Sequence, residues 1–101
     1  MKSRLELHEA LVDILGSRNV YFQPPEKTEM KFPAIVYSKS DIKNGFANGK
    51  VYLQNHIFKV IVVDKDPDSE IVTKMSKFDT AKFDRSYIVD RLNHTVFTIF
   101  Y

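Results

Sequence analysis

The chain has 101 residues (11.8 kDa), of which 44% are hydrophobic and 28% charged, with no cysteine and a formal net charge of +2. That length suits a single domain spanning residues 1–101, and the apolar content argues against a disordered segment. The missing thiols exclude disulfides, cysteine chemistry and zinc–thiolate sites.

The charges are interleaved. Residues 1–50 carry eight basic against six acidic side chains, and residues 51–101 carry seven against seven. Neither half is a basic arm, so electrostatic binding of nucleic acid is not expected. A domain of this size hides about two-thirds of its unfolded surface at most, so contacts with partner subunits are expected to matter for stability. Acidic residues Glu6, Glu9 and Asp13 interrupt any signal-peptide core. The best apolar stretch, Ile57 to Val63, is short, contains Lys59 and falls well below the ~20 residues a membrane helix needs. A soluble chain with no membrane partner is expected.

Ser3-Arg4-Leu5-Glu6 has capping-box spacing, in which a serine oxygen and a glutamate carboxylate satisfy orphan backbone N–H groups. It predicts a helix with Leu7, Ala10, Leu11, Ile14 and Leu15 on one face, closed by Gly16. Asn19 to Gln23 reads as a short extended piece stopped by Pro24-Pro25, and residues 24–32 as a polar connector. Ile35, Val36 and Tyr37 predict a strand over 34–40.

The polar stretch 41–50, with Asn44-Gly45 and Asn48-Gly49, predicts a long hairpin loop with Phe46 at its centre. The return strand covers 51–63. Apolar residues of both parities near its end mark it as a central strand. Asp66, followed by Pro67, predicts a helix N-cap, and Ile71, Val72, Met75 and Phe78 the apolar stripe of a second helix. Beyond a linker at 79–82, strands are predicted at 83–89 and 95–101, joined by 90–93. The order α-β-β-α-β-β predicts an α+β fold, with an antiparallel-rich sheet of about four to five strands and two helices packed on one face.

No catalytic constellation emerges. Asp64, Asp66 and Asp68 alternate like the start of a calcium loop, but Ser69 and Met75 stand where that loop needs glycine and a bidentate acid. His8, His56 and His94 form no paired metal motif, and the three glycines make no phosphate loop. No serine sits in a nucleophile elbow. Tyr21, Phe22, Tyr37, Tyr52, Phe58, Tyr87, Phe97, Phe100 and Tyr101 do not travel with a basic stripe. Core and subunit-interface roles therefore outweigh base stacking. The reading is of a non-enzyme, with no cofactor or metal.

Five segments in order carry a resemblance: Ile14 to Ser17, Asn19 to Pro25, Phe32 to Tyr37, Val63 to Ser69 and Asp90 to His94. Spaced as they are across nearly the whole chain, they resemble small proteins of phage and prophage morphogenesis clusters, which are similar to the tail-completion, or tail-terminator, proteins of long-tailed bacteriophages. Each segment is a structural phrase and none is an active-site signature. The resemblance implies an α+β subunit forming a homo-oligomeric ring, commonly a hexamer, that caps the tail tube and presents a surface to the head connector. Its implied place is the head–tail junction of the virion, after assembly in the host cytoplasm. The candidate assembly interface is Asn44, Gly45, Phe46, Asn48, Gly49 and Tyr52. A head-closure or connector adaptor is the alternative. More distant is a small nucleic-acid-binding regulator, which a steep salt dependence of DNA affinity would reveal.

Overall fold

A computed structural model describes residues 4–24, 29–47 and 50–101, with side chains for all of these except 41–55. In chain order the elements are α1 (Arg4–Leu15), β1 (Val20–Phe22), β2 (Ala34–Ala47), β3 (Lys50–Asp64), α2 (Glu70–Ser76), β4 (Ala81–Val89) and β5 (Leu92–Phe100). The strands form one sheet in the order β1-β2-β3-β5-β4. Only β1 and β2 run parallel; the other pairs are antiparallel. The fold is α+β, as the sequence predicts.

Helix α1 follows its stripe: Leu7, Leu11 and Leu15 are buried. Gly16 adopts φ +80° and donates its N–H to the Val12 carbonyl, closing the helix. Ser3 of the predicted capping box lies outside the described residues. The three leucines, with Met75 of α2, pack on Ile35 and Tyr37 of β2, Phe58, Val60 and Val62 of β3, and Phe97 and Ile99 of β5. Both helices thus lie on one sheet face, and the central strands β3 and β5 supply much of the core beneath them. Ile57 and Val63, on the other parity of β3, are also buried.

Four expectations are corrected. The order gains a strand, becoming α-β-β-β-α-β-β: Val20–Phe22, read only as an extended piece, pairs with Ile35, Val36 and Tyr37. The 41–50 stretch is not a long loop. The β2–β3 ladder continues from Ala34↔Val63 to Ala47↔Lys50, with shifts between Lys39 and Asp41 and between Gly45 and Phe46. Those irregularities absorb the unmatched Ser40 and Tyr52, so the backbone ladder runs on through a stretch whose composition reads as a turn.

The cap of α2 is Ser69, whose hydroxyl accepts from the Ile71 N–H at 3.2 Å. Asp66 instead accepts from the Asp68 N–H at 2.9 Å, as Asp64 does from the Asp66 N–H at 3.1 Å. These Asx turns consume the carboxylates before the helix begins. Finally, β4 and β5 start earlier than predicted, and only Asp90-Arg91 join them, at φ 52° and 65°. Two consecutive positive φ values are the requirement of a type I′ hairpin, the turn that matches strand twist. Tyr101, read as the end of the last strand, lies one residue past β5 but still exchanges two backbone hydrogen bonds with His56. Among the described residues no helix is long and apolar enough to cross a membrane.

Candidate assembly surfaces

The sheet leaves two surfaces unfinished. On one side, β1 covers β2 only at Ile35 to Tyr37, beyond which the Gln23 side chain accepts from the Lys39 N–H at 3.2 Å. On the other, β5 pairs with β3 only from Ile57 inward, and Tyr101 extends this contact to His56. From Ser40 to Ala47 and from Lys50 to Asn55, then, β2 and β3 pair only with each other among the described residues. They form a two-stranded ribbon beyond the body of the sheet, in a molecule measuring 51 × 26 × 23 Å.

This ribbon holds the predicted interface residues Asn44, Gly45, Phe46 and Tyr52 on its backbone. Asn44 pairs with Gln54, Gly45 with Leu53 and Phe46 with Val51, while Tyr52 falls at the second irregularity. Asn48 and Gly49, between the paired Ala47 and Lys50, lie outside the described residues. The side chains of Phe46 and Tyr52 do too.

The second surface is β4, which borders the sheet and pairs only with β5. Residues Lys82 to Val89 are all exposed, including Phe83 at 61%, Ile88 at 71% and Val89 at 48%. A shift between Phe83 and Arg85 leaves Asp84 unmatched, so a bulge and the charges Lys82, Asp84 and Arg85 blunt the first half of the edge. Ser86 to Val89 carry no charge. Sequence reasoning missed this surface because a strand's pattern does not reveal that it will end a sheet. The available signal was the same polar-apolar mixture over Lys82 to Val89 that a half-buried strand would show.

A polar cluster fixes α1 to the β1–β2 corner. Arg4 donates to the Tyr37 hydroxyl at 3.2 Å, and that hydroxyl lies 2.7 Å from His8 Nδ1. With Arg4 as donor, the network assigns the Tyr37 O–H to donate to Nδ1. The Arg4 guanidinium also lies 4.2 Å from the centre of the Phe22 ring, which packs 4.9 Å from that of Tyr37. Burial pushes the Tyr37 phenol above its ordinary value, with Arg4 acting in the opposite direction. Tyr37 is 1% exposed, so the cluster is an internal anchor and offers no open reaction centre.

The histidines occupy separate places: His8 on Tyr37, His56 stacked beside Phe58 and His94 stacked on Tyr87. No group of three or more histidine, aspartate or glutamate side chains among the described residues is arranged to hold a metal. The aromatics divide likewise. Tyr37, Phe58 and Phe97 are buried in the core, whereas Tyr87 lies at the β4 edge. No family model matches the chain, and no curated protein shows significant similarity to it.

Proposed function

We propose that this protein is a structural component of phage morphogenesis, forming a ring that terminates the tail tube and joins it to the head connector. The observation that carries the reading is a hairpin that outruns the rest of the sheet and has no strand on either flank among the described residues. An isolated two-stranded ribbon is at best marginally stable in water. A subunit built this way gains stability from a neighbour, in keeping with the ring implied by the resemblance. The same resemblance supplies the tube and the head connector as partners.

Sedimentation velocity across concentration, with and without tail tube protein, tests the proposal. A closed oligomer at high concentration or on tubes is expected. Monomeric behaviour under every condition would contradict it.

A further inference from the structure

We propose that the sheet face turned away from the helices, where β3, β5 and β4 lie side by side, binds single-stranded nucleic acid. The surface is a face and not a strand edge, so the proposal stands without the ring reading. Residues opposite each other in a ladder point to the same side of a sheet, and successive residues alternate. Tyr37, Val60 and Phe97 pair across β2, β3 and β5 beneath the helices. The neighbouring row of Lys59, Thr98 and Lys82 therefore faces the other way, as do Arg85 opposite Val96 and Tyr87 opposite His94.

From Ile57 on β3 and throughout β5 and β4, the matched residues on this face include Lys59, Lys82 and Arg85 and no acid. Signs that interleave along the chain are thus sorted by strand alternation, which is why composition alone shows no basic stripe. Strand spacing of ~4.8 Å and a rise of ~3.3 Å per residue place the three backbone positions within about 10 Å by 7 Å. Among the described residues the one ion pair joins Arg18 to Glu9, so no carboxylate neutralises these cations by direct pairing. Asp84, exposed and unmatched in the bulge beside Arg85, is the only acid of β4.

Aromatic rings lie among the cations. The Lys82 ammonium is 5.7 Å from the centre of the Phe100 ring, and the Arg85 guanidinium is 6.0 Å from that of Tyr87. Tyr87 in turn stacks on His94, with centres 4.9 Å apart and planes 12° from parallel. Lys82, Arg85 and Tyr87 are exposed, while Lys59, His94 and Phe100 are half-buried. Lys31 donates its N–H to the Tyr21 hydroxyl, which sets the connector before β2 at the β1 border, across the sheet from β4. A sheet face that mixes cations with accessible rings suits a strand whose phosphates meet the charges and whose unpaired bases reach the rings. A duplex keeps those base faces inside its own stack.

Fluorescence anisotropy of labelled oligothymidylate and oligouridylate tests this, the two probes telling DNA from RNA and binding of either supporting the proposal. Three phosphate contacts on a single strand predict an affinity that falls about 100-fold when salt rises tenfold. In a Lys82→Gln, Arg85→Gln double variant the same rise in salt is expected to cost only about fivefold. A Lys74→Gln, Lys77→Gln variant makes the same change in net charge at α2, on the helix side, and is expected to keep the steep dependence. Tyr87→Ala is expected to weaken binding about tenfold at fixed salt with the slope retained, and Asp84→Asn to strengthen it. Circular dichroism is expected to be unchanged in each variant. No binding of either probe at low salt, equal losses from the β4 and α2 pairs, or a duplex bound as tightly as the single strand would overturn the proposal.

Discussion

Tyr37 shows how one side chain ties distant parts of the chain together. Its ring lies in the core, while its hydroxyl holds Arg4 and His8 of α1. Tyr37→Phe keeps the ring and deletes the shared hydroxyl. It is expected to lower unfolding stability by about 1–2 kcal/mol, the range for losing a partner of half-buried polar groups, as read from urea denaturation. The raised folded-state value of the phenol also sets a sign. Above pH ~10 the unfolded chain releases this proton before the folded chain does, so stability falls as pH rises through that window. The Tyr37→Phe variant is expected to lose less stability over the same alkaline range; an identical slope would show that other groups govern it. The apolar periodicity of α1 predicts Leu7, Leu11 and Leu15 in the core, yet it assigns no role to Arg4 and His8. Their partner is 33 and 29 residues away and becomes a neighbour only through sheet pairing.

At the scale of elements, the start of α2 shows where local signals compete. Asp66-Pro67 and Ser69 are both credible helix starts in isolation. Asx turns at Asp64 and Asp66 delay the helix until Ser69, and Asn93 of β5 donates to the carbonyls of Asp64 and Lys65 in the same bend. Ser69→Ala is accordingly expected to cost about 0.5–2 kcal/mol in thermal or denaturant unfolding. Asp66→Ala is expected to cost less, since the carboxylate it removes caps only an exposed turn; the reverse ranking would restore Asp66 as the principal cap. The polar ribbon was illegible for a different reason. Asn44-Gly45 carries the composition of a turn, but its backbone pairs with Gln54 and Leu53, and composition does not record backbone partners. By contrast, β3 was legible as a central strand because apolar side chains of both parities signal burial from two sides. Of the six predicted interface residues, four have a described backbone place, all on the ribbon, whereas no pattern singled out the exposed β4 edge.

The molecule as a whole combines a conventional helix-on-sheet core with a sheet that stops short of satisfying its borders. That division predicts separable effects of substitution. The backbone of Phe46 pairs in register with Val51 far along the ribbon. Phe46→Ala is expected to leave subunit unfolding nearly unchanged while weakening assembly in sedimentation. A loss of ~3–5 kcal/mol, typical of a core phenylalanine, would place it in the folding core instead. The proposed biological role concerns only the union of finished parts, so its absence should spare the steps before union. Electron microscopy of lysates from a phage or prophage deleted for this gene measures that most directly. DNA-filled heads beside separate tails, some of abnormal length, are the predicted result. Normally joined virions would contradict the terminator role, and heads emptied of DNA beside normal tails would assign the protein to head closure.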